Sequence, residues 1–137
     1  MCFVKGTDKF HAVAETDLKC YKLVLRRNDF DFYMSPYRGS HYALGKLLRK
    51  DVKHLDIVKL DLLDALESGV YHSYHTTENA AQAYRYIMRY KVTHYYDSWG
   101  VCVLECIIPK GSLYWKNDTE YASTAIKPVR EMSYSEL

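Results

Sequence analysis

Residues 101–111, VCVLECIIPKG, constrain the fold more than any other stretch. Val101, Val103, Ile107 and Ile108 are β-branched, and such side chains, stiff at χ1, suit a pleated strand better than a helix. Leu104 and the thiols of Cys102 and Cys106 add apolar bulk, and only Glu105 interrupts. A run apolar on both alternating faces predicts a strand covered on both sides, at the centre of a sheet. Pro109 and Gly111 end it. The period of two places Cys102 and Cys106 on one face with Leu104 and Ile108, where they read as small buried hydrophobes. Four cysteines in 137 residues, with no Cys-x-x-Cys, do not make a disulfide scaffold.

A central strand needs neighbours. Leu18–Arg26, LKCYKLVLR, alternates Leu18, Cys20, Lys22 and Val24 against Tyr21, Leu23 and Leu25, and is the natural partner of 101–108. Asn28-Asp29 begins a turn, and 31–34 is short enough to be the return of a hairpin. Residues 1–17 show little periodicity and read as an arm. Ser35 to Gly39 is a turn fixed by Pro36, whereas 41–50 fits a short helix or a strand, with Gly45 against the helix. Leu55, Val58, Leu62, Leu63 and Leu66 fall at helical spacing and predict a helix over 59–67, stopped by Ser68-Gly69. Val70 to Tyr74 is extended. Thr76 or Thr77 then caps a helix over 78–91, with Glu78 in its first turn and Ala80, Ala83, Tyr84, Ile87 and Met88 as its buried stripe. Residues 112–115 extend the sheet, Asn117-Asp118 is a tight turn, and 125–131 is a closing strand with Pro128 at an edge. The expected class is α+β: a mostly antiparallel sheet with one or two packed helices, in a single domain over 1–137.

Composition narrows the function only by exclusion. The hydrophobic fraction of 48% and charged fraction of 26% are those of a soluble globule. No apolar run approaches the ~20 residues that cross a bilayer, and MCFVKGTDKF has no signal-peptide core, so no membrane contact and a cytoplasmic location are expected. A net charge of +2 does not point to nucleic acid, and Arg26-Arg27 and Arg49-Lys50 with Lys53 read as solvated surface before phosphate patches. The outlying number is 14 tyrosines, a residue used both at contact surfaces and on half-buried strands.

Four segments carry a resemblance: Tyr37-Arg38-Gly39 with Tyr42-Ala43-Leu44-Gly45-Lys46; Gly69-Val70-Tyr71-His72-Ser73; Ile108-Pro109-Lys110-Gly111; and Ser123-Thr124-Ala125-Ile126. Taken in order over about 18–132, they resemble a family of small proteins from bacteriophages, prophages and Bacteroidetes-type bacteria. That family shares Tyr-x-Gly, Tyr-x-x-Gly-Lys, Gly-Phe-His-Ser, Ile-Pro-Lys-Gly and Ser-x-x-Ile motifs. This chain departs from it at Tyr71, where phenylalanine is preferred, and by an extra residue after Gly69. No named activity attaches to the family, so the resemblance implies kinship and a phage setting rather than a mechanism.

Three patterns offer chemistry. His72 and His75 within Tyr71 to Thr76 fall on opposite faces of a strand, so they make a poor metal pair unless His41 joins them, and loop-fixing histidines are the plainer reading. Arg38, Ser73 and Asp118-Thr119-Glu120 follow the order of an ADP-ribosyltransferase-like site. There an arginine would hold a pyrophosphate of NAD, and the carboxylate of Glu120 would stabilise oxocarbenium character. The central Ser-Thr-Ser of such sites is missing, and the first glutamate is replaced by Asp118. Met1-Cys2 has the start of an N-terminal nucleophile enzyme, but such folds are longer than this chain.

The leading expectation is therefore a small non-catalytic binding protein without a cofactor. In the phage setting it would dock on a host protein or ribonucleoprotein, for example to inhibit a host defence or regulatory factor in the host cytoplasm. Tyr37, Arg38, His41, Tyr42, Tyr71, His72, Tyr74 and His75 are the expected contact residues, a mixture suited to recognition. The alternative is a small nucleotide-processing enzyme using Arg38, Ser73 and Glu120. Neither the partner nor the oligomeric state follows from the sequence.

Overall fold

The structure, a computed structural model, describes residues 11–35, 41–49, 71–90 and 100–137. Its framework is the predicted pairing: β2 (Leu18–Arg26) runs antiparallel to β7 (Gly100–Ile108) in unbroken register from Leu18↔Ile108 to Arg26↔Gly100. The run from 101 is thus an inner strand, with Val103, Leu104, Cys106 and Ile108 buried and Cys102 half-buried.

Eight strands lie in the order β1-β8-β9-β6-β2-β7-β10-β5. These are β1 (His11–Val13), β8 (Leu113–Lys116), β9 (Glu120–Ser123), β6 (Tyr71–Tyr74), β2, β7, β10 (Ala125–Glu131) and β5 (Leu48–Arg49). The two-residue strands β3 (Tyr33–Met34) and β4 (His41–Tyr42) continue from the far end of β2. Every pairing is antiparallel. The class is α+β, with one helix among the described residues, α1 (Thr77–Tyr90).

Alternation sorts the side chains onto two faces. Leu23, Tyr74 and Val103 point to the helix face and pack on Ala80, Tyr84 and Ile87 of α1 together with Met132. Met88, expected in the stripe, is 50% exposed. The chain then folds back along α1: Arg85 Nη1 donates to the Leu137 carbonyl, and Tyr84 meets the ring of Tyr134 edge-on. Cys20, Val24, Leu104, Cys106, Ile108, Tyr71, Tyr121 and Ile126 point to the opposite face, which Tyr42 also joins.

Several expectations shift by local amounts. The arm is partly sheet, because residues 11–13 pair with β8, and Ala14 continues with a bond from its N–H to the Ser112 carbonyl. The helix begins one residue earlier than 78, with Thr76 as its cap: Thr76 Oγ1 accepts from the Asn79 N–H at 3.1 Å. Of the stretch 41–50, the described residues 41–49 hold two short strands around a turn in which Gly45 takes φ +79°, a conformation open to glycine. Strand β9 follows the Asn117-Asp118 turn and was not expected. The helix expected over 59–67 lies outside the described residues.

Pro128 lies within β10, between β7 and β5, so by strand order it is not at an edge. It is nonetheless tolerated because β5 pairs only with Ala125 and Ile126. The Pro128 carbonyl accepts from the Gly45 N–H at 2.7 Å, on the side away from β7. The ring nitrogen faces the same side, so its missing N–H takes no bond from the β7 ladder. A register shift between Pro128 and Arg130 then bends the strand.

Candidate binding surface

The contact residues expected from the sequence divide into two groups once the strands are paired. Tyr42, Tyr71 and Tyr74 are buried, at 3%, 8% and 8% exposure. The rings of Tyr42 and Tyr71 meet edge-on at 6.4 Å, so the two segments do converge, but in the core rather than at the surface. His72 and His75 are half-buried. His75 packs edge-on against Tyr121, and burial, with Lys116 nearby, holds its imidazole below the ordinary pKa. Tyr37 and Arg38 lie outside the described residues.

Beside these tyrosines sits a residue that sequence reasoning passed over. Lys22 is 8% exposed, on the apolar register of Cys20 and Val24. Its ammonium donates to the His72 carbonyl and lies 5.2 Å from the centre of the Tyr42 ring, a cation–π contact. Tyr21 pairs antiparallel with Tyr74, so one rung along Lys22 falls opposite Ser73. Among the described residues the Ser73 hydroxyl, itself buried, has no hydrogen-bond partner. The signal was in the alternation: a lysine among Leu18, Cys20 and Val24 has to be neutralised or solvated inside the fold.

The serine and carboxylate of the nucleotide-processing alternative separate. Ser73 pairs with Tyr121 and Tyr74 with Glu120, so Ser73 and Glu120 leave the sheet on opposite faces. Cys2 lies outside the described residues, and Cys102 and Cys106 are equally unlike nucleophiles. Burial, with Glu131 beside it, pushes the Cys102 thiol up to about 12, and the adjacent Cys20 thiol together with burial holds Cys106 well above its ordinary value. Among the described residues no three His, Cys, Asp or Glu side chains gather at metal-ligand spacing.

What lies open is the β2–β3 hairpin. Phe30 is 42% exposed at its tip, and Leu44 and Leu47 from the turn around Gly45 are 46% and 42% exposed. The rings form a series: the Arg27 guanidinium lies 5.2 Å over Phe30, Phe30 is 5.1 Å from Phe32, and Phe32 stacks on exposed His41 at 4.2 Å. A cleft of about 390 Å³ opens between them, lined by Arg26, Phe30, Asp31, Phe32, Tyr33 and Leu44 among others. Its cations are engaged. Arg26 Nη1 binds the Glu131 carboxylate at 3.1 and 3.3 Å, and Arg27 Nε binds Asp29 at 2.7 Å. Tyr33 donates to the same Glu131 at 3.0 Å, and burial together with that carboxylate pushes its phenol up to about 12. Among the described residues, His41 is the one expected contact residue in this group. The signal missed was Phe30-Asp31-Phe32, apolar rings alternating with acid at a hairpin tip too short to bury them.

No protein family, curated protein or solved structure is matched by this chain. No helix among the described residues is long and apolar enough to cross a membrane.

Proposed function

We propose that this is a non-catalytic binding protein that docks on another protein through the aromatic rim of the β2–β3 hairpin. The observation that carries the reading is the open cleft lined by Phe30, Phe32 and Leu44, with His41 stacked on Phe32 and with both of the cleft's arginines already ion-paired. Contact surfaces are enriched in aromatic side chains and arginine, and grouped exposed apolar residues mark such surfaces. A nucleic-acid surface would instead need cations available to phosphates, and Arg26 and Arg27 are held by Glu131 and Asp29. The opposed directions of Ser73 and Glu120 favour this reading over the NAD-dependent alternative. On the strength of the motif resemblance, the partner is placed in the cytoplasm of a phage host, as a host protein or the protein part of a ribonucleoprotein.

The test is affinity capture with the wild type and with a Phe30→Ser/Leu44→Ser variant, alongside thermal melts of both. A partner held by the wild type and weakened about tenfold or more in the variant, about 1.4 kcal/mol, with melting unchanged within a few degrees, supports the reading. Capture indifferent to the double substitution overturns it.

A further inference from the structure

We propose that the hairpin cleft receives a basic side chain, an arginine or lysine of the docked protein, between the Phe30 and Phe32 rings and the carboxylate of Asp31. This rests on the docking reading above and names the chemistry of the partner at that site.

The argument is one of charge accounting within the cleft. Three charged groups line it, Arg26, Arg27 and Asp31, and two carboxylates outside the lining, Glu131 and Asp29, reach its arginines. Arg26 is matched by Glu131 and Arg27 by Asp29. Asp31, exposed and lining the cleft, has no ion-pair partner among the described residues. The uncommitted charge is therefore one carboxylate, flanked in sequence by two phenyl rings. An incoming carboxylate or phosphate would face Asp31 and be repelled. A neutral apolar group would cover Asp31 without pairing it, and a desolvated, unpaired charge is costly. A guanidinium or ammonium satisfies both features, since it pairs with the carboxylate and meets the exposed part of the Phe30 ring, whose quadrupole attracts cations. The hairpin already shows the second interaction internally, with the Arg27 guanidinium 5.2 Å over Phe30. The cleft, at about 390 Å³, is at the small end of ligand sites, about 300–1,000 Å³, a size suited to one long side chain rather than a large ligand. Leu44, which also lines the cleft, offers apolar surface to the methylene stem that carries such a charge.

The experiment is an NMR titration of the full chain with N-acetyl-arginine methylamide, compared with the norleucine and glutamate analogues. A single side chain binds weakly, so millimolar concentrations are needed. The expected result is amide shifts at Phe30, Asp31, Phe32 and Leu44 with the arginine probe, much smaller ones with norleucine, and none with glutamate. Asp31→Asn should weaken the arginine response about threefold or more. Absence of shifts there, an equal response to norleucine, or an Asp31→Asn protein that binds as before overturns the inference. The capture experiment separates its failure from that of the docking reading. If Asp31→Asn keeps the partner while Phe30→Ser/Leu44→Ser loses it, the basic anchor is wrong and the docking surface stands. If neither variant loses the partner, both fall.

Discussion

Thr76 shows how much one hydroxyl decides locally. Two threonines stand at the start of α1, and either satisfies the preference for a hydroxyl at a helix N-cap. Only Thr76 is placed to use it, accepting from the Asn79 N–H at 3.1 Å while its own hydroxyl donates to Asn79 Oδ1 at 2.6 Å. Thr76→Ala should therefore lower stability by about 1 kcal/mol, and Thr77→Ala by much less. Chemical denaturation of the two variants checks this, and the reverse order would place the helix start one residue later. Lys22 illustrates the same dependence on placement. A lysine in a strand is ordinarily a solvated residue, but here the register turns it inward, where a carbonyl and a tyrosine ring meet its charge.

The C-terminal turn, residues 133–137, is an element held largely by charge. Arg130 Nη2 meets Glu136 Oε1 at 2.8 Å, and Arg130 Nε meets Glu105 Oε2 at 3.2 Å, with Lys19 also near Glu105. Glu136 in addition accepts from the Ser133 N–H and hydroxyl. Arg130 first, then those two Ser133 bonds, hold the Glu136 carboxyl down at about 2, below its ordinary 4.5. A depressed carboxyl pKa contributes stability above its unfolded value, and that contribution is lost as pH falls through the folded one. The turn should accordingly stay docked on α1 at neutral pH and loosen between about pH 4.5 and 2. Following the Glu136 side-chain carboxyl by NMR should give a midpoint near 2, rising towards the ordinary value in Arg130→Ala. A wild-type midpoint near 4.5 would mean that the contact is not formed in solution. Glu136 is at the surface, so the effect should shrink with added salt.

Across the molecule, stability is concentrated where both faces of the β2–β7 pair are covered. Leu104 is fully buried on the tyrosine face, whereas Ile107, three positions along, is half-buried opposite Lys127. Leu104→Ala should cost about 2–5 kcal/mol by removing buried methyl groups and leaving a cavity in a packed core. Ile107→Ala should fall below that range, because solvent already reaches its side chain. Denaturation midpoints at unchanged slope would measure the difference. Equal losses would mean that the sheet is covered at Ile107 by more than the pairing with Lys127.

Sequence alone determined whatever depends on neighbours a few residues apart. Val101 to Ile108 is a strand because β-branched and other apolar residues fill it, broken only by Glu105, and 18–26 joins it because its alternation matches. Thr77 to Tyr90 is a helix because Ala80, Tyr84 and Ile87 share one side of a period of 3.6. Tertiary structure alone decided what those periodicities leave symmetric. An alternating strand does not say which face meets α1, so the inward turn of Tyr42, Tyr71 and Lys22 was invisible until β2 paired with β6 and β7. Short strands such as β9 and β1 carry too few residues for a pattern and exist because neighbouring strands offer them a ladder. The aromatic rim was legible as residues, Phe30-Asp31-Phe32, but not as a surface. The ion pair of Arg26 depends on Glu131, which lies about a hundred positions away in sequence and is brought beside Arg26 only by the strand order.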